Sequence, residues 1–203
     1  MAEAFVNVTE GSGKKLHTFN RTIGANSVED EVVLLGENYL ASYVANGAMS
    51  TATANSHLMQ IMAGASLKVR IRRIEITQQT LATTAAFGVI SIYRLTTAGT
   101  GGTALTPALL DPGDGASGAT QMQLPTVKGT EGANVYTAAA YFMQTAGASS
   151  IMPVPMFVAD FDRPRSKPLI IAAGTTNGVA IKMETAIAAA VVRVDIWFDE
   201  SNF

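Results

Sequence analysis

Residues 66–80, SLKVRIRRIEITQQT, constrain the fold of this chain more than any other stretch. Leu67, Val69 and Ile71 alternate with Lys68, Arg70 and Arg72, so a strand here has one apolar and one basic face. At Arg73 the alternation slips by one, and Ile74 and Ile76 take over the apolar role. Such a slip turns every later side chain to the opposite face unless a bulge absorbs the extra residue. It therefore predicts a β-bulge at Arg72–Arg73. Residues 86–95, with Phe87, Val89, Ile90, Ile92 and Tyr93, predict a second strand. The two together read as a hairpin against which the rest of the chain packs.

Further strands are predicted over residues 31–35, 57–62, 134–145, 156–161, 169–173, 179–184 and 190–199, with the alanines of 134–145 leaving a helical alternative open there. In the last of these, Val192, Val194, Ile196 and Phe198 share one face. Residues 38–45 suit a helix or a strand, with Gly47 as their end and residues 48–56 as a small-residue loop. Residues 186–190 suit at most one helical turn. Short strands separated by turn signals predict an all-β antiparallel β-sandwich or barrel. Residues 31–203 are enough for a single domain with a full core. Residues 1–30, broken by Gly11, Gly13 and Gly24, suit a disordered tail or an extended N-terminal arm that orders on a neighbour, and a chain expected to assemble favours the arm.

Residues 96–132 have no sustained period and are rich in glycine and proline, which predicts a long flap within the domain. The flap reading implies that residues 100–120 can be removed without loss of the fold. Leu105, Leu109, Leu110, Met122 and Leu124 punctuate it, either capping the domain's own core or packing on a neighbouring subunit. With Lys68, Arg70 and Arg72 they form the candidate partner interface. Arg94 adds a fourth cation to the basic stripe, which suits the wet face of a sheet or an acidic partner surface. Charged residues make up 15% of the chain, against about 25% in an average soluble domain. A surface this weakly charged suits a chain whose faces are covered in an assembly.

Little in the sequence suggests chemistry. The chain has no cysteine, which rules out disulfides and thiolate metal sites. A net charge of −2 gives no footprint for nucleic acid. No apolar run predicts a signal peptide or a membrane span. Gly11–Lys15 lacks the spacing of a phosphate-binding loop, and Gly99, Gly101 and Gly102 are followed by no helical pattern. The histidines, His17 and His57, sit in no zinc spacing, and no Gly-x-Ser-x-Gly turn is present. Asp160 and Asp162 share a strand face with Arg163 and Arg165 directly behind, which suits solvated or ion-paired edge residues. Residues 111–115, DPGDG, predict a turn. No catalytic residue, metal site or cofactor is predicted.

The segment order LKVRIRRIEITQ, then YRLTTAGTGGTALTPALLDPGDGASGATQMQLPTVKGTEG, then VVRVDIWFDE resembles virion structural proteins of tailed bacteriophages. It is similar in particular to the small β-sandwich proteins that decorate or cement the head, over residues 57–145 and 190–199. The resemblance implies a jelly-roll-like fold and self-association, often as a homo-trimer. It also implies binding to the major capsid protein or other virion subunits. The location implied is the virion, after synthesis and assembly in the host cytoplasm, and no catalytic residue is carried over. A tail, neck or fibre-base protein has the same texture. Two readings of other classes remain beside it. One is a carbohydrate-binding module with Trp197, Tyr93, Tyr136 and Tyr141 as its platform, and the other a hydrolase built on His57.

Overall fold

The computed structural model describes residues 18–23, 26–31, 40–144, 155–162 and 168–201. The chain divides into two compact units, Met1–Tyr39 and Leu40–Phe203. In the first, β1 (Thr18–Ile23) pairs antiparallel with β2 (Asn26–Glu31), from Thr18↔Glu31 to Ile23↔Asn26. The extended arm expected over residues 1–30 is therefore a paired ribbon where it is described. Only Gly24 and Ala25 separate the two runs, a spacing that favours antiparallel pairing of neighbours. Of the strand expected over 31–35, Glu31 closes β2 and residues 32–35 lie outside the described residues. His17 and the Gly11–Lys15 run lie outside them as well.

The second unit runs β3 (Ala41–Ser50), β4 (Ser56–Met62), β5 (Lys68–Thr80), β6 (Ala86–Leu95), β7 (Thr103–Leu105), β8 (Ala108–Leu109) and β9 (Thr120–Gln123). It continues through β10 (Glu131–Phe142), β11 (Pro155–Asp160), β12 (Leu169–Ile171), β13 (Gly178–Met183) and β14 (Val191–Ser201). One sheet has the order β10-β6-β13-β4-β9-β7 and the other β11-β5-β14-β3-β8, with β12 also pairing with β5. Every pairing between these strands is antiparallel, and the described residues contain no helix. The fold is an all-β sandwich. Of residues 38–45, ambiguous in sequence, residues 41–45 lie in β3, while residues 38 and 39 lie outside the described residues.

The inner faces follow the alternation read from sequence. Val69, Ile71, Ile74 and Ile76 of β5 and Val192, Val194, Ile196 and Phe198 of β14 are all buried. They meet Ile90 and Ile92 of β6 and Ile181 and Met183 of β13 in one core. The slip at Arg73 is a bulge, as expected: Trp197 pairs with Arg73 and Phe198 with Ile71, leaving Arg72 as the extra residue. Two expectations need correction. β5 and β6 are not a hairpin, because each is saturated by two neighbours in its own sheet and residues 81–85 carry the chain between sheets. Gly47 does not end a strand but lies inside β3 opposite Val194. A Cβ there would stand 2.5 Å from Gln123 Oε1 of the other sheet, so the position marks a close approach, not a break.

Residues 96–132 are fastened to both sheets and do not form a loose flap. β7 and β9 extend one sheet beyond β4, and β8 pairs with β3 in the other. Between them, the DPGDG turn forms as expected, with Gly113 N–H donating to Asp111 Oδ1 at 2.8 Å. Tyr43 Oη donates to the Gly115 carbonyl at 2.9 Å. The buried Glu200 carboxylate accepts from Ser117 Oγ (2.8 Å), Gly118 N (3.0 Å) and Ala119 N (2.7 Å). Excision of residues 100–120 should therefore unfold the domain. Glu200→Ala, which strands these donors, should cost about 2–3 kcal/mol in urea denaturation. An unchanged midpoint would show that the segment is not fastened in this way.

Candidate functional site

The densest polar constellation lies on the outer face of the β6 sheet. Opposite β13, Ile181 pairs with Met59 and Lys182 with His57, so Leu58 is an extra residue in β4. That bulge puts His57 and Gln60, three apart, on the same outer face. Glu131, at the start of β10, is the hub: its carboxylate lies 3.0 Å from His57 Nε2, 3.1 Å from Lys182 Nζ and 3.2 Å from Lys128 Nζ. Lys182 also contacts Glu184 at 3.0 Å and sits 4.9 Å above the Tyr93 ring. Nearby, Gly99 N–H donates to Gln60 Oε1 at 3.0 Å and Gln60 Nε2 returns to the Gly99 carbonyl at 3.4 Å. A Cβ on Gly99 would meet the Val127 carbonyl at 2.6 Å, so this approach requires glycine. Met62, Leu95 and Ala180 form a small second apolar cluster.

Burial pushes the His57 imidazole below its ordinary 6.5, against the pull of Glu131. Burial works to raise Glu131, but hydrogen bonds from Lys182, Lys128 and His57 outweigh it and leave the carboxyl below its ordinary 4.5. Burial likewise works to lower Lys182, and its bonds to Glu184 and Glu131 carry it above 10.5. At neutral pH a neutral imidazole donates Nε2–H to a carboxylate held by two ammonium groups. A cleft of about 470 Å³ lies alongside, lined by Ser50, Thr53, Asn55, His57, Thr126 and Lys128. Among the described residues no hydroxyl bonds to His57, and its Nδ1 has no partner, so no nucleophile–base pair is assembled. Nor do the described residues include a group of three or more carboxylates and imidazoles able to hold a metal ion. The arrangement acts as an ionic latch that fixes residues 128–131 against β4 and β13.

The predicted interface residues divide. Leu105 and Leu124 pack against the core. Met122 is half-buried, with its sulfur 3.8 Å from the Gln60 amide. Leu109 and Leu110 stand out at 39% and 55% exposure, at and just after the edge strand β8. Lys68, Arg70 and Arg72 are half-buried residues of β5. Arg72 is held internally by Asp199 (2.5 Å) and Asp162 (3.0 Å). Arg94 lies in the other sheet and donates to the Ile170 carbonyl of β12, so it does not extend the stripe along β5. Asp162 is ion-paired as expected, but with Arg72; Arg163 and Arg165 lie outside the described residues.

The four aromatics proposed as a sugar platform are dispersed. Trp197 lies on β14 under the Arg73 guanidinium at 5.6 Å, and Tyr93 lies beneath Lys182. Tyr136 packs edge-on against Phe157, while Tyr141 meets Phe87 in a tilted arrangement at 5.2 Å between centroids. Phe87, Tyr136, Tyr141 and Val158 are exposed on the β10–β11 side of the sandwich, opposite Leu109 and Leu110 on the β7–β8 side. Comparison of the chain with protein-family models, with curated proteins and with solved structures found no match.

The latch has a pH signature. His57, with its folded pKa below 6.5, costs stability as pH falls from 6.5, because the unfolded chain takes up a proton that the folded one resists. Glu131 adds to the loss as pH falls below 4.5 through its folded pKa. Lys182 contributes stability that disappears only as pH rises past 10.5. Urea midpoints should therefore drop between neutrality and about pH 5. A midpoint flat over that interval would contradict the buried neutral imidazole.

Proposed function

We propose that this protein is a structural subunit that acts through contacts with other subunits, in the particle of a tailed bacteriophage, as a head decoration or cement protein on the major capsid protein. The observation that carries the reading is the placement of the exposed apolar side chains. Leu109 and Leu110 mark one side of the sandwich and Phe87, Tyr136, Tyr141 and Val158 the other, with Val127 exposed in the loop between β9 and β10. A repeating assembly needs two separate adhesive sides of this kind, and exposed apolar patches ordinarily mark contact surfaces.

Strand order supports the jelly-roll part of the reading. The eight principal strands stack as β3-β14-β5-β11 over β4-β13-β6-β10, with the chain passing between layers at nearly every connection. That order fits the double Greek key of a jelly roll, an architecture frequent among viral capsid proteins. The low charge density points the same way. On this reading the protein works by burying surface, as a homo-oligomer, a trimer on the phage resemblance, with no cofactor and no catalytic step.

The test is incorporation. Leu109→Ser combined with Leu110→Ser alters exposed side chains and should leave the fold intact. Copies per purified phage particle, counted by mass spectrometry, should fall about tenfold or more, a loss of about 1.4 kcal/mol per contact. Undiminished copy number would remove β8 from the interface, and absence of the unaltered protein from particles would contradict the particle assignment.

A further inference from the structure

Each sheet ends in two edge strands, and an edge presents unpaired N–H and C=O groups to any strand that approaches. Three of the four edges carry features that block such pairing. β7 has three residues and β8 two, the latter preceded by Pro107 and followed by Asp111 and Pro112. β11 begins with Pro155, ends with Asp160 and has a bulge between Pro155 and Phe157. β10 has none of these over most of its length. Its register shifts are confined to its first residues, and Tyr136–Phe142 pairs without interruption with Ile92–Ala86 of β6. Residues 132–144, GANVYTAAAYFMQ, contain no charge and no proline.

Among the described residues the far side of β10 is open: no strand pairs along it. Consecutive residues of both facings, Tyr136 and Thr137, are exposed, as happens at a strand whose edge is uncovered. Ala139 and Tyr141 are exposed too, the latter at 50% beside Phe87 at 69%.

We infer that β10 pairs antiparallel with β10 of a second copy of this chain, about a two-fold axis at Ala139, joining two sandwiches through a continuous sheet. The sequence is complementary to itself in that register. Ala139 meets Ala139, Ala138 meets Ala140, and the backbones approach where the side chains are smallest. Thr137 then faces Tyr141, a pairing of the aromatic–β-branched kind that stabilises cross-strand neighbours, and both side chains are exposed. The uncharged stretch Tyr136–Phe142 is matched by the same stretch of the second copy, and pairing on this axis brings the exposed Phe87–Tyr141 patches of both copies to the junction. The inference rests on the reading of the chain as an assembling subunit and names the partner at one of its two sides. It does not depend on the phage assignment.

Because the protein has no cysteine, a single introduced thiol reports the contact cleanly. Ala139→Cys should give a covalent dimer on mild oxidation, whereas Thr126→Cys, at an exposed loop position, should not. Ala139→Lys places two ammonium groups face to face and should weaken the dimer about tenfold or more in sedimentation. Its circular dichroism and melting should match those of Ala139→Ser. If Ala139→Cys does not cross-link and Ala139→Lys associates like the unaltered protein, the inference fails while the assembling-subunit reading stands. If the unaltered protein is monomeric but Ala139→Lys no longer enters particles, the edge receives a different protein and self-pairing is overturned. If the unaltered protein is monomeric and enters no particle, the assembling-subunit reading falls with it.

Discussion

The pairing of β5 with β14 is the constraint on which the sandwich depends. Both are central strands of one sheet, and together they supply eight of the side chains buried at its inner face. That face is continuous only because the chain makes room for Arg72. Without the bulge, Ile74 and Ile76 would point outward, exchanging core contacts for exposure at a cost of about 2 kcal/mol or more per side chain. The same bulge directs the Arg72 guanidinium onto Asp199, a carboxylate only 1% exposed that also accepts from Ser42 Oγ. A buried aspartate without its cation is strongly destabilising. One extra residue thus sets the core register and satisfies a buried charge.

The second layer of organisation is polar. Residues 96–131 contribute only short strands, β7, β8 and β9, which by themselves bury little. They are held by anions and amides accepting hydrogen bonds at specific points: Glu200 under residues 117–119, Gln60 on Gly99, and Glu131 against Lys182, Lys128 and His57. This fastening covers two edges of the sandwich with irregular chain and very short strands, a recognised way to keep sheet edges from pairing. Among the described residues, no strand gives such cover along β10.

Much of the fold was legible where side-chain alternation was strong. Residues 86–95 form β6 within the bounds read from sequence, and the inward set Val192, Val194, Ile196 and Phe198 is as expected. Which strands pair was not legible, because alternation records that one face is buried and not whose neighbour the strand is. β5 and β6, adjacent in sequence, therefore lie in opposite sheets. Strands of two to four residues leave no period to detect, which is why 96–132 looked unstructured. Gly47 gave a break signal although its role is a close approach between layers. Identical leucines in that segment face inward at 105 and 124 but outward at 109 and 110, a distinction set by which neighbour each meets. The ionic latch joins His57, Glu131 and Lys182 from three distant segments; its one local trace is a lysine inside the apolar run VAIKM.

The proposed pairing of β10 at one side of the sandwich makes a direct claim about backbone amides. Hydrogen–deuterium exchange over a range of protein concentrations reads it strand by strand. The slowest amides should lie in β5 and β14 at every concentration, while exchange across Tyr136–Phe142 should slow as concentration rises and that edge acquires a partner. Exchange along β10 that is independent of concentration, with β5 and β14 still protected, would contradict it.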